Sequence, residues 1–323
     1  MKKTGFLAIL ALSAAAFAQD SSMPPAANEV NISAPQGTEL TNGSFPFERV
    51  QAPTAADLYC AGFITKQLPS NTNYVAGGLD TPQQTKFVNG DMVYLTGGGY
   101  QTGQQYSIIR ELKDPNRYEM FPGQGKMIRA LGQPYSEQAR VRVIDTRSKM
   151  AIAKVEFSCD PVVPGDYAIP FVEKAKIAFH APVRFDRYLP ASNKPSGRIV
   201  MAKDFDTVLG PGVKLYVNMG SNQGLKIGDH LRAVRTYGAV LEDSVDSISF
   251  KASSSEDTQK RQASIEPHMF TKTGGPVVHV RDLPRRSVGE VVVLGTTPTT
   301  ATAMIVYALE DVHIGDGVEL DEQ

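Results

Sequence analysis

Residues 213–235, VKLYVNMGSNQGLKIGDHLRAVR, contain a short alternating strand, a glycine-punctuated loop closing on Gly228-Asp229, and a second alternating strand that ends in Arg235. Period-two alternation bounded by Gly and Asn predicts strand, turn and strand. The same plan occurs earlier, at residues 90–112, GDMVYLTGGGYQTGQQYSIIREL. Val93-Tyr94-Leu95 meets Leu215-Tyr216-Val217, Gly103 meets Gly228, and Arg110 meets Arg235. Gly62 is paired with Gly197 as the start of each copy.

The repeat continues downstream. Residues 139–170 overlay 289–320 without gaps, placing Val141 on Val291, Ala151 on Ala301, Val162 on Val312 and Gly165-Asp166 on Gly315-Asp316. Matches in one order across most of each half imply a duplicated module. The fold expected is all-β: two tandem small barrel-like or sandwich modules behind a disordered N-terminal leader, since short strands recur with turn signals between them. The pairs Gly90-Asp91, Gly165-Asp166, Gly228-Asp229 and Gly315-Asp316 are structural turns: Gly tolerates positive φ, and Asp can hydrogen-bond its own backbone two residues on. They are dispersed singly, without the clustered oxygens of a calcium site.

Outward from the modules, Lys2 and Lys3, the apolar run Phe6 to Ala15 and the small residues before Gln19 read as a secretory signal over 1–18. That apolar run is shorter than the roughly 20 residues a membrane helix needs, and no transmembrane segment is expected after cleavage. Residues 19–54 are polar, Pro-punctuated and aperiodic, a flexible leader in which Phe45-Pro46-Phe47 could meet a partner. The boundaries that follow are module A at 55–171, a connector at 172–195, and module B at 196–321 with a polar insertion at 240–275, read as mobile or as one exposed helix. In module A, LYCAGFITKQ from Leu58 is read as the opening strand, and a turn-rich gap separates it from Gly90.

Without Lys2 and Lys3 the 33 basic residues fall by two against 34 acidic ones, and no basic block exists. A nucleic-acid partner is therefore not expected. Cys60 and Cys159 are the only cysteines, and an exported chain should join them in a structural disulfide. On the repeat alignment that bond would clamp the seam where the outer strands of module A meet.

Catalytic signatures are missing. Gly220-Ser221-Asn222-Gln223-Gly224 has the wrong spacing for a nucleophile elbow, the glycine clusters lack the rest of a phosphate loop, and the five histidines are scattered. No metal or cofactor is expected. Arg110 and Arg235, at equivalent strand ends, are candidates for holding a ligand carboxylate, against the plainer reading of a pair with a nearby acid. Tyr94 and Tyr216 could stack on a sugar ring, against ordinary barrel packing.

Residues 197–235 and 287–320 resemble the C-terminal domain of flagellar assembly protein T and its relatives. The first module, through GDMVYLTGGGYQTGQQYSIIREL and ARVRVID, is similar to the β-domain that accompanies lysin motif (LysM) domains in bacterial envelope proteins. The resemblance covers most of residues 58–321 and rests on glycine turns and apolar alternation. It implies an exported, non-enzymatic envelope protein of the periplasm or outer envelope, near peptidoglycan or an envelope protein partner. IGDHLRAVRTYG also looks like the opening of a lysin motif, which would place a short helix after Asp229. The alternative is an enzyme acting on wall glycan or peptide whose residues converge only in three dimensions. A cleft between the modules with two carboxylates at glycosidase separation would favour it.

Overall fold

The computed structural model describes residues 50–113, 118–177, 179, 186–188, 190–236 and 284–321, with short strand segments at 258–259, 264–266, 269–271 and 278–279. The expected signal at 1–18, residues 19–49 of the expected leader with Phe45-Pro46-Phe47, and most of the 240–275 insertion lie outside them. Within these described residues no helix is long and apolar enough to cross a membrane.

The first element is helix α1, Ala55–Tyr59, started by a capping box: the Thr54 hydroxyl accepts the Asp57 N–H, and the Asp57 carboxylate accepts the Thr54 N–H. Cys60 caps its C-terminus, Gly62 turns the chain at φ +70°, and strand β1, Phe63–Thr65, follows. LYCAGFITKQ is therefore helix, turn and strand, a correction to the single strand expected. Alternation across Leu58 to Gln67 conceals a helix that its cap residues specify.

Barrel A comprises β2 (Val75–Gly78), β3 (Met92–Leu95), β4 (Gln105–Glu111), β5 (Gln133–Asp145), β6 (Ala151–Ser158) and β7 (Tyr167–Pro170). Helix α2, Gln124–Leu131, lies between β4 and β5. The hydrogen-bonded order is β2-β3-β6-β5-β4-β7, with β1 attached to the start of β5. The outer strands meet at the Tyr74–Tyr167 bridge, where the Val75 N–H donates to the Asp166 carbonyl at 2.8 Å and the Ala168 N–H to Asn73 at 2.9 Å. Inward residues such as Val93, Val141 and Val155 form its core.

Barrel B uses β8 (Ser196–Ala202), β10 (Lys214–Val217), β11 (His230–Arg235), β16 (Arg286–Thr296), β17 (Ala301–Ala308) and β19 (Gly317–Leu320). They close in the order β10-β17-β16-β11-β19-β8. A two-stranded flap pairs β9, Val208–Leu209, with β18, Val312–His313. The insertion contributes β12 (Thr258–Gln259), β13 (Ser264–Glu266) and β14 (Met269–Thr271); β15 (Val278–His279) pairs with β12. These described positions are strands, not the helix considered. His230–Arg235 is likewise strand, so the helix that the lysin-motif reading places after Asp229 is not found there.

The two barrels repeat one topology. Val93 opposes Ala153 as Leu215 opposes Ala303, and the Phe87–Val162 bridge matches Leu209–Val312. Val75 and Ile199 occupy one place: each donates to the carbonyl of Asp166 or Asp316 and accepts from Gly165 or Gly315. This fixes β2 as the partner of β8, so Gly197 corresponds to Asn73 and not to Gly62. The first copy opens at β2, inside the stretch read as a turn-rich gap.

Segments the copies do not share join the barrels. Leu58 and Ala61 of the α1 brace pack on Val292, Leu294, Met304 and Val306 of barrel B. The Thr300 and Thr302 hydroxyls donate to the carbonyls of Ile64 and Gly62, at 2.9 and 2.8 Å. From the other side Phe121, between β4 and α2, enters the core of barrel B with Leu209, Val291 and Ile314. The connector runs over barrel B: Phe179 stacks on His230, and the Arg187 carbonyl accepts the Ser287 N–H.

The disulfide joins Cys60 to Cys159, with 5.6 Å between Cα atoms. Its role differs from the seam clamp expected. Cys60 caps α1, outside the barrel, and Cys159 follows β6, so the bond ties the brace on barrel B to barrel A.

Candidate functional site

The four Gly-Asp pairs are four copies of one turn. In each, glycine has φ between +91° and +105°. The aspartate carboxylate accepts the N–H three residues earlier, from Val88, Val163, Lys226 and His313, each at 2.8 Å. The aspartate N–H returns to the carbonyl of that same residue. The expected side-chain bond thus runs backward by three residues, tying the turn that aims the chain into the next strand.

Two of these aspartates receive the candidate arginines. Arg110 donates from Nε and Nη2 to Asp166 at 2.7 and 2.8 Å, and from Nη2 to the Pro161 carbonyl. Arg235 repeats the arrangement with Asp316 at 3.0 and 2.9 Å and with the Asp311 carbonyl. The hydrogen bonds that Arg110 donates to Asp166 raise its pKa above its ordinary value. Each guanidinium is committed to the fold in the same way, and burial removes Arg235 as a ligand-contacting group.

The equivalent tyrosines diverge. Tyr94 stays half-buried on the outer side of barrel A, between Gly77 and Ile152. Tyr216, also outward by alternation, is fully buried under the brace and donates its hydroxyl to the Ala61 carbonyl at 3.2 Å. Burial pushes its pKa up. The sugar-stacking reading of Tyr216 is thereby corrected: its ring has no free face.

The geometry instead creates a cleft of about 490 Å³ between the barrels. One wall is the brace and β1, through Gly62, Phe63 and Thr65; the opposite walls are Ser107 and Ile169 of barrel A and the β16–β17 turn at Gly295 to Pro298. Its lining combines the hydroxyl residues Thr65, Ser107 and Thr296 with the apolar Phe63, Ile169 and Val172. Such a mixed lining suits an elongated ligand with polar groups along an apolar spine.

Glu137 and Lys174 line this cleft, and sequence reading missed both. Glu137, buried, accepts the Gly62 N–H at 3.1 Å and the Lys174 ammonium at 2.7 Å on each oxygen. Lys174 also donates to the Leu58 carbonyl at 2.7 Å. The pair fastens connector and brace to β5, with its donors and acceptors occupied. Glu137 is the single carboxylate lining the cleft among the described residues, so the two-carboxylate arrangement set out for a glycosidase is not met there. The described residues likewise hold no group of three or more His, Cys, Asp or Glu arranged for a metal ion.

No known protein family and no curated protein matches this chain.

Proposed function

We propose that this chain is a non-catalytic, exported binding scaffold of the cell envelope, and that the inter-barrel cleft takes wall material, peptidoglycan or its peptide portion. The observation that carries the reading is the joining of two duplicated barrels by elements that neither copy needs for closure. The α1 brace, β1, Phe121 and the Cys60–Cys159 bond hold a mixed cleft in one shape. A pre-shaped cleft loses little entropy on binding, which favours recognition. The ionisable groups lining it are spent on the fold, which favours binding over chemistry. The test is sedimentation of the purified mature protein with isolated peptidoglycan. Binding is expected; full recovery in the supernatant would reject wall material as the ligand.

A further inference from the structure

Beside the cleft, barrel A displays an arginine whose side chain has no hydrogen-bond or ion-pair partner among the described residues. Arg140 lies on β5, directly opposite Ser107 on β4, which in turn opposes Ile169 on β7. Both Ser107 and Ile169 line the cleft. The guanidinium carbon is 5.7 Å from the Tyr59 ring centroid and 5.2 Å from that of Phe171, while the two rings are 5.5 Å apart. Three nearly equal separations mean that both rings lie toward one side of the guanidinium and do not sandwich it.

On the strands of barrel A and the turns between them, the other described arginines each have an acid: Arg110 holds Asp166, Arg142 holds Glu156 and Arg147 holds Asp145. Arg140 makes no such pair, and its Nε is buried with no hydrogen-bond partner. Glu156, which feels the charge of Arg140, is turned to Arg142 at 2.5 Å and Gln105 at 2.6 Å. Burying that donor unpaired costs free energy, which the fold bears at this arginine. The aromatic support holds the position: Tyr59 adjoins the disulfide at Cys60 and accepts the Lys174 N–H on its hydroxyl, and the Phe171 N–H donates to the Gln105 carbonyl. With Nε enclosed, the two Nη groups are the donors placed to meet a planar carboxylate, and the rings beside the guanidinium hold its charge at that position.

We infer that Arg140, supported by Tyr59 and Phe171, is a carboxylate-binding point at the rim of the cleft, and that the ligand there is a peptide with a free carboxylate. This rests on the cleft being the binding site and adds the group recognised.

The test uses the full mature chain, 15N-labelled, with the Arg140 Nε–Hε cross-peak assigned by its loss in Arg140→Gln. The probes are acetyl-Ala-Ala, its carboxamide and inorganic phosphate at matched ionic strength. The free acid should shift that peak and the Ser107 and Ile169 amides saturably. The carboxamide should not, and Arg140→Gln, with an otherwise unchanged spectrum, should weaken binding of the acid roughly ten- to a hundredfold. Arg140→Lys, which keeps the charge but not the fork, should fall between. Equal shifts with the carboxamide, no saturable response to the acid, or tighter saturation by phosphate would each overturn the inference. Failure to sediment with peptidoglycan alongside a saturable acid response would reject the wall reading and leave the carboxylate site standing.

Discussion

Phe121→Ala examines how the two barrels are joined. Phe121 belongs by sequence to the insertion of the first module, yet it is 1% exposed within the core of barrel B. Truncating a buried Phe costs about 3 to 5 kcal/mol, because transfer and cavity terms add. The Arg198 guanidinium lies over this ring at 4.5 Å, a cation–π contact of about 0.5 to 1 kcal/mol that is lost with it. At about 1.4 kcal/mol per decade, the combined loss of about 3.5 to 6 kcal/mol corresponds to a fall in amide protection of roughly 3 × 10² to 2 × 10⁴-fold. Hydrogen exchange with mass spectrometry can place that fall. Peptides over 199–217 and 288–306 of barrel B should lose protection by this amount, and those over 139–157 of barrel A by less than about tenfold. Loss confined to residues around 120–131, with barrel B unchanged, would refute the assignment of Phe121 as a core residue of its neighbour.

Other perturbations follow from the same contacts. Replacing Cys60 and Cys159 together by Ala opens a loop with a sequence separation of 99 residues. The chain-entropy model gives roughly 4 to 5 kcal/mol and a fall in Tm on the order of 10 °C; calorimetry showing less than about 2 °C would mean the packed brace holds without the bond. Arg235 and Arg110 make the same contacts, but their side chains are 4% and 36% exposed. Arg235→Ala should cost about 3 to 5 kcal/mol in urea unfolding and Arg110→Ala about 1 to 2, so equal losses would contradict burial as the deciding factor. The Arg142 hydrogen bond, aided by Gln105, holds the Glu156 carboxyl below its usual range against partial desolvation. With the folded pKa depressed, this stabilisation is present above the unfolded value of about 4.3 and is lost as pH falls through the folded value. Solvent screening limits it to about 0.5 kcal/mol. An NMR titration placing Glu156 at or above 4.3 would contradict the pairing.

The barrels were legible because their instructions are local and written twice. Gly165-Asp166 and Gly315-Asp316 make the same turn and receive the same arginine bond, and the intervening strands keep an inward apolar alternation. The start of the first copy was obscured because β2 reads Val-Ala-Gly-Gly. Gly78 is required there by packing: a Cβ would lie 2.1 Å from the Phe87 ring. Its neighbour Gly77 presses on Thr81, and two adjacent glycines look like a turn until those contacts are known. The site was not legible at all. Tyr59 ends a helix, Glu137 and Arg140 share strand β5 and Lys174 lies in the connector, and no spacing rule connects these three segments. Equivalent positions also diverge with their surroundings, since Tyr94 stays half-exposed while the brace buries Tyr216.

Gly295 offers the most direct test of the cleft as the binding surface. It lines the cleft, and a Cβ built there would meet nothing within 4 Å, so Gly295→Phe should extend into the cleft without disturbing the barrel. Wild-type protein and this variant, shown to have the same unfolding transition, would be sedimented with isolated peptidoglycan. The account predicts that the wild type pellets and that Gly295→Phe remains in the supernatant. Equal pelleting of both would contradict the cleft as the site, and pelleting of neither would contradict wall material as its ligand.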